Sequence, residues 1–510
     1  MELHSKYILA IDQSTSGTKT LLVDQQGTVI AKCSIEHKQH YPQPGWVEHD
    51  PIEIYNHVRH TVAEVLTSAG ISAEALAAVT ITNQRETALI WDKVTGLPIY
   101  NAIVWQCQRT IDTCSLLKKA GHEPAVRAKT GLMLDPYFSA AKFKWILSHV
   151  EGAADLLAEG RLLAGTMDSW LIWKLTQGAV HATDYSNASR TSLFNIHTLT
   201  WDEELSSLFG VPLSLLPEVK ASDEVYGYTA EGELFNHAVP ISGVIGDSQG
   251  ALFGHQCLES GTGKATYGTG TSVLMNVGLQ PVNGGEGIVT TIAWGAGGKV
   301  TYALEAVIRT TGDSIKWIRD NMGLFSSFEE MQQLIDNVAD NEGVYMVPAF
   351  VGMGAPYWDP YARAAIVGMN RGTKKGHIVR AALESIAYQV KDAVDFIQQQ
   401  SGIVLRHLRT DGGASSNNWL MQFQTDMLGA TVNRSTCAEL SAMGSVYLGG
   451  LGTGYWNAIS DLPQQSVEYQ SYEPSMSISE RDRHYSGWQR AVRSVLGSDK
   501  SEDRATTASS

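Results

Sequence analysis

Two stretches of this chain, half its length apart, repeat one pattern: an apolar run, a short turn rich in hydroxyls and glycine, and a second apolar run. The first is YILAID, QSTSGTK and TLLVD, from Tyr7 to Asp24; the second is KATYGTGTSVLMNVG, from Lys264 to Gly278. An echo at that distance predicts a duplicated unit. The 510 residues agree, because one hydrophobic core seldom serves so long a chain and two domains of roughly 250 residues are expected. A cleft between them is then the expected ligand site.

Charge narrows the ligand. The net charge of -15, with no dense Lys/Arg run, argues against nucleic acid or an anionic membrane as partner and favours a small molecule. The five cysteines, Cys33, Cys107, Cys114, Cys257 and Cys437, are scattered without a C-x-x-C pair and read as reduced structural thiols. MELHSKYILAID has no basic start followed by a long apolar stretch, and no later run reaches about 18 apolar residues. A cytoplasmic protein without membrane insertion is expected, and the small polar residues 499–510 are expected to form a disordered tail.

The opening runs, continued by TVIAKCSI, predict a β-meander. Val379, Leu383, Ile386, Val390, Val394 and Ile397 recur at spacings of three and four and predict a helix with one buried face, stopped at Ser401-Gly402. IVLRHLRTDGGASSNNWLMQFQTDMLGA then reads as strand, Gly-Gly turn and amphipathic helix. The fold class is α/β, with loops at strand ends.

Several segments carry candidate chemistry. In DQSTSGTK, residues 12 to 19, backbone N–H groups and hydroxyls can face phosphate oxygens while Lys19 neutralises charge; a plain hairpin turn explains the same residues. The turn at Tyr267 to Thr271 is equally ambiguous alone, but one such turn in each half suggests a nucleotide phosphate chain clamped from two sides. Neither a P-loop nor a dinucleotide fingerprint is present, which disfavours hydride transfer. Asp247 follows an apolar strand in ISGVIGDSQGALFG and reads equally as a helix N-cap or as a carboxylate facing a cleft. Arg85 and Glu86 read as a surface ion pair or as a grip on vicinal hydroxyls. Trp105 and Tyr137 read as core packing or as the wall of a polyol pocket. GMGAPYWDPYARAA reads as a rigid loop.

In combination, YPQPGWVEHDP, ITNQRET, IYNAIVWQCQRT, TGLMLDPYFSAAKFKWIL, TDYSNASRTSLFNIHTL, VPAFVGMGAPYWDPYARAAIVG and DGGASSNNWLMQFQTDMLG resemble the glycerol kinases of the FGGY carbohydrate kinase family, from Lys6 to Leu496. Both family signatures fit, at Tyr137 to His149 and at Ala364 to Glu384. The resemblance implies two actin-like, ribonuclease-H-like domains, 1–254 and 255–498, with an interdomain cleft closing over ATP and a polyol. It implies that Arg85, Glu86, Tyr137 and Asp247 hold the substrate's hydroxyls, that Trp105 packs on its carbon side, and that Asp247 is the base. By position Ser248 and Ser272 join the substrate set. Thr15, Ser16, Gly17 and Lys19, with Thr269 and Gly270, are implied around the phosphates, and Gly312, Lys316, Gly413 and Asn417 along the rest of the nucleotide. Asp12, through water, and Asp247 are implied for Mg²⁺, and a homodimer or homotetramer for the assembly.

Four positions depart from that pattern: Ser14 stands where Gly is usual, Lys19 where Arg is usual, Ser248 in place of Gln, and Ser272 in place of Phe. The last two leave a wider, more polar pocket, so a four- or five-carbon polyol or ketose is the alternative to glycerol. EGELFNHAVP replaces the loop that binds fructose 1,6-bisphosphate in some relatives, so no inhibition by that sugar is expected. A non-catalytic nucleotide sensor is the rival from another class; retention of Asp12, Lys19 and Asp247 speaks against it.

Overall fold

The computed structural model describes residues 6–232, 234–463 and 468–497, so the tail expected at 499–510 lies outside the described residues. Tyr7–Gln13 (β1), Gly17–Asp24 (β2) and Val29–Glu36 (β3) form the expected meander, with Asp12 opposite Lys19 across the first hairpin. β1 is apolar almost throughout because it is central, whereas β3 alternates half-buried and exposed residues at the sheet edge. Leu76–Asn83 (β4) runs parallel to β1, Pro240–Gly246 (β6) runs parallel to β4, and Val225–Tyr228 (β5) closes the far edge antiparallel. The sheet order is β5-β6-β4-β1-β2-β3.

The second sheet comprises Thr262–Tyr267 (β7), Thr271–Gly278 (β8), Val289–Ala296 (β9), Lys299–Ile308 (β10), His407–Asp411 (β11), Thr431–Ser435 (β12) and Tyr469–Tyr472 (β13). Its order is β9-β10-β8-β7-β11-β12-β13, with β7 antiparallel to β8 and parallel to β11, and β13 antiparallel to β12. Each sheet therefore repeats one series: a hairpin whose first strand is central, two further parallel strands, and an antiparallel edge. The short sequence echo at Tyr7 and Lys264 is the visible part of this duplication.

Helix Lys375–Ser401 ends at Gly402 in the left-handed region, as expected. It is buried beyond the six-residue face, because the helices Gly312–Asp320, Phe328–Asp336 and Asn418–Leu428 flank it as well as the sheet. Midway along it, Asp392 accepts hydrogen bonds from Tyr357, Tyr485 and Trp488 at 3.0, 2.6 and 2.7 Å, which ties down the final helix.

The halves meet through two helices, Asp247–Gly254 and Leu440–Gly452. The second of these lies on the first sheet, against β1, β4 and β6, although it comes from the far end of the chain. Their backbones touch: a Cβ on Gly444 would stand 1.9 Å from the Gly250 carbonyl oxygen, and one on Gly254 2.1 Å from that of Leu440. Around this pair, Ile8, Ala10 and Ile245 of the first half share one buried cluster with Leu274, Trp294 and Ala303 of the second.

Behind the first turn, His37 stacks on His57 with ring centroids 5.3 Å apart and lies 5.8 Å from His49. Burial, with repulsion from His49 and His57, lowers His37 to about 3; burial, with His40, lowers His49 to about 4. Both are thus neutral in the folded protein at pH 7. On acidification the unfolded chain takes up these protons near the ordinary value of 6.5, well before the folded chain does. Stability is therefore full above that value and falls as pH drops toward 4, by about 3 kcal/mol for each histidine. His37→Gln, which keeps a hydrogen-bonding group but cannot titrate, is expected to lessen without abolishing the decline in Tm between pH 7 and 4.5, because His49 and His181, both lowered to about 4, still titrate. An unchanged slope would remove His37 from this role.

Candidate active site

β1, β4 and β6 run parallel, so their carboxyl ends bring Asp12, Arg85 with Glu86, and Asp247 to one edge of the first sheet. The carboxyl ends of β7, β10 and β11 do the same for the second sheet, presenting Gly268–Gly270, Gly312 and Gly413. Ligand sites in open parallel sheets lie at such edges.

The first turn is held by its backbone: Ser14 N–H donates to the Gly17 carbonyl at 2.9 Å and His37 N–H to that of Ser16 at 2.8 Å. Gly17 is required, since a Cβ there would lie 2.5 Å from the Ile35 carbonyl oxygen. Thr15 Oγ1 accepts from Trp105 Nε1 at 2.9 Å, so the Trp105 ring and the first turn share a contact. Ser16 is exposed, and Lys19 pairs with Glu439, which also meets Lys32 at 3.3 Å. In the second turn, the Thr269 carbonyl accepts from Thr311 N–H at 2.9 Å and that of Gly268 from Gly312 N–H at 3.1 Å. A Cβ on Gly270 would lie 2.4 Å from the Ile308 oxygen, and one on Gly312 2.5 Å from the Gly268 oxygen. Lys316 is exposed one turn further along its helix, and Asn417 caps the Asn418–Leu428 helix by accepting from Leu420 N–H at 2.9 Å.

Arg85 and Glu86 do not form a surface pair. Both are buried, because β4 is central and its exit runs between the domains. Arg85 Nε lies 3.1 Å from Asp247 Oδ1, while its Nη1 donates to Gln249 at 3.2 Å and its Nη2 to Glu305 at 2.9 Å. Glu86 accepts from Arg190 Nε at 2.6 Å and adopts a left-handed φ of 59°, a strained conformation for a residue with a side chain. The helix Ser139–His149 holds it there: Ser139 Oγ donates to the Glu86 carbonyl at 3.0 Å, and Lys142 Nζ reaches the same oxygen at 3.4 Å and the Tyr137 carbonyl. Burial lowers Lys142 to about 8 and raises the Tyr137 phenol. The Tyr137 ring meets Trp105 edge-on with centroids 5.5 Å apart.

Asp247 opens the Asp247–Gly254 helix, but the N-cap position belongs to Gly246, and the carboxylate stands 35% exposed beside Arg85. The backbone ahead of it is fixed by Ser186, whose hydroxyl accepts from Gly246 N–H at 2.9 Å and donates to Asp184. Ser248 is half-buried and its N–H points to Asp247 Oδ1 at 2.6 Å. Ser272 Oγ donates to Glu305 Oε1 at 3.2 Å.

Burial pushes Asp12 up to about 7, with Asp247 and Glu439 adding to the rise and Lys19 opposing it. A divalent cation beside Asp12 would offset the cost of burying its charge and favour the carboxylate form. Among the described residues no group of three or more His, Cys, Asp or Glu could by itself hold a metal ion.

Sequence reading missed Arg190, Gln249, Glu305 and Glu439. One signal was available: Glu305 is the only charge in the otherwise apolar strand interior TYALEAVI. Arg190 lies inside TDYSNASRTSLFNIHTL, but nothing local tells its pairing.

Twin sheets joined by a helix pair, with a glycine-bearing turn at the strand ends of each and a buried arginine and carboxylate set bridging the two, define a two-domain actin-like kinase. The chain belongs to the FGGY family of carbohydrate kinases, whose N-terminal domain model matches residues 7–254 and whose C-terminal domain model matches 263–453. A glycerol kinase of Salmonella arizonae is 50% identical over 491 residues, covering 96% of this chain and 98% of that protein. One of an Enterobacter species is 50% identical over 498 residues, covering 98% and 99%. The solved structure of Plasmodium falciparum glycerol kinase with ADP matches at a TM-score of 0.91 and 35% identity, covering 96% and 98%. A xylulose kinase of Lactobacillus acidophilus matches at 0.87 but only 19% identity, a likeness of fold alone. Family and fold, as read from the motifs, are borne out.

Proposed function

We propose that this protein is an ATP-dependent glycerol kinase, transferring the γ-phosphoryl group of ATP to a terminal hydroxyl of glycerol to give sn-glycerol 3-phosphate and ADP. The observation that carries it is the buried Arg85 and Glu86 at one edge with Asp247, Tyr137 and Trp105, with Arg85 bonded to Glu305 of the second sheet, which Ser272, two residues past Gly270, also reaches. Half-identical glycerol kinases over nearly the whole chain support the choice of substrate.

Arg85 donates to, and Glu86 accepts from, vicinal hydroxyls, Tyr137 adds a hydroxyl, and Trp105 covers the carbon edge. Ser248 and Ser272 complete the pocket wall. Asp247 orients the attacking hydroxyl and accepts its proton late, as the new O–P bond forms and the bond from γ-phosphorus to the bridging oxygen breaks. ADP leaves with that electron pair. Thr15, Ser16, Gly17 and Lys19 take the phosphates from the first turn, Thr269 and Gly270 from the second, and Gly312, Lys316, Gly413 and Asn417 line the remaining nucleotide. Asp12 and Asp247 are the residues assigned to Mg²⁺, which when bound neutralises phosphate charge. Lys19 must exchange Glu439 for phosphate, and domain closure excludes water that would otherwise hydrolyse ATP. A cytoplasmic homodimer or homotetramer rests on the family resemblance.

A coupled ADP-release assay across glycerol, erythritol, threitol, ribitol, xylulose and dihydroxyacetone is expected to give glycerol the highest kcat/KM. Ser272→Phe is expected to lower kcat/KM for the longer substrates relative to glycerol by about 10- to 100-fold. A four- or five-carbon substrate outrunning glycerol in the unaltered protein would transfer the assignment to that substrate.

A further inference from the structure

We infer that Glu305, reaching across from the second sheet, and Arg190, from the same half as Arg85 and Glu86, are positioning residues for the polyol that set the orientation of those two side chains. This rests on the reading of Arg85 and Glu86 as the substrate's contacts.

The geometry is a chain of alternating charge. Asp247 meets Arg85, Arg85 meets Glu305 Oε1, Glu305 Oε2 forms an ion pair with Arg190 Nη1 at 2.7 Å without hydrogen-bond alignment, and Arg190 Nε meets Glu86. Glu305 lies on β10 and Arg85, Arg190 and Glu86 in the first half, so one carboxylate joins both grips to the far sheet. Glu305 is 1% and Arg190 0% exposed. Buried to that degree, they act on a ligand through their partners. Burial alone would raise the Glu305 carboxyl, but Arg190 and Arg85 outweigh it and hold it at about 2, ionised at every working pH.

The arithmetic of donors shows what this accomplishes. A guanidinium carries five N–H groups in a fixed fork. Arg85 donates one each to Gln249 and Glu305, and its Nε stands 3.1 Å from Asp247 Oδ1; these contacts fix the plane and leave the remaining N–H groups for ligand hydroxyls. Without the Glu305 charge, Arg85 is held by Asp247 as its remaining anionic contact, and the fork turns toward the base. Arg190 plays the matching part for Glu86: it restrains one oxygen of a carboxylate whose backbone is already in a strained conformation. The Ser272 hydroxyl on Glu305 places a specificity position on the same carboxylate.

The test is steady-state kinetics with glycerol together with ADP titration of the full chain. Glu305→Gln keeps the shape and removes the charge; Arg190→Lys keeps the charge and removes the fork, so at least the second is expected to fold. Glycerol KM is expected to rise about 30-fold in Glu305→Gln and about tenfold in Arg190→Lys, with ADP Kd within about twofold of the unaltered protein. Glycerol KM unchanged in a folded variant, or glycerol KM and ADP Kd rising together, would overturn the inference while leaving the kinase assignment intact. Absence of glycerol phosphorylation by the unaltered protein would overturn both.

Discussion

Asp247→Asn is expected to lower kcat for glycerol phosphorylation about a thousandfold, with ADP Kd within about threefold. Asparagine preserves the size of the side chain and its start in the Asp247–Gly254 helix, so the fold around it stays. It loses the capacity to accept the hydroxyl proton, and it loses the charge that meets Arg85 at 3.1 Å. Because phosphoryl transfer proceeds through a loose transition state, much of the rate comes from positioning, and a residue of activity should survive. The effect should fall on kcat more than on glycerol KM, since the substrate contacts proposed for Arg85, Glu86 and Tyr137 remain. Full activity in this variant would remove Asp247 from the base role.

Gly444→Val is expected to be the most damaging substitution outside the site. A Cβ at residue 444 meets the Gly250 carbonyl oxygen at 1.9 Å and its carbonyl carbon at 2.6 Å, and both belong to the partner helix's backbone. Neither can rotate away as a side chain would, so the helices must separate. Separation opens the shared core around Ile8, Leu274 and Ala303 and displaces Asp247, which begins the partner helix. A cost of about 3 kcal/mol or more is expected, read as a lowered Tm together with loss of soluble active protein. Gly372→Ala is the control, because its new methyl group meets a single side-chain atom, Asn370 Oδ1, at 3.1 Å. A Gly444→Val protein with unaltered Tm and kcat would show that the two helices slide freely, contrary to their close approach.

Local pattern revealed what local physics controls. The meander strands, the helix stop at Gly402 and the strand, Gly-Gly turn and helix after it each depend on neighbours in sequence, and each stands where it was expected. The ambiguity at Asp247 was real as well, for helix start and exposed carboxylate coincide there, and only the displacement of the cap to Gly246 separates them. What stayed hidden depends on distant pairing. Arg190 and Glu305 are 115 positions apart, Lys142 reaches back 56 residues to Glu86, and no spacing rule connects such partners. Burial was hidden for the same reason: Arg85 and Glu86 read as a surface pair until β4 is placed at the centre of a sheet with a second domain against its exit. The helix Leu440–Gly452 carries glycines whose purpose shows only when the first sheet lies beneath it.

The most direct measurement is a phosphorus NMR time course of the purified protein with MgATP and glycerol. Glycerol 3-phosphate and ADP should accumulate in equal amounts as ATP disappears, with negligible inorganic phosphate and no ATP loss when glycerol is omitted. ATP stable in the presence of glycerol, or hydrolysed to inorganic phosphate without a phosphorylated polyol, would contradict the assignment of this chain as a glycerol kinase.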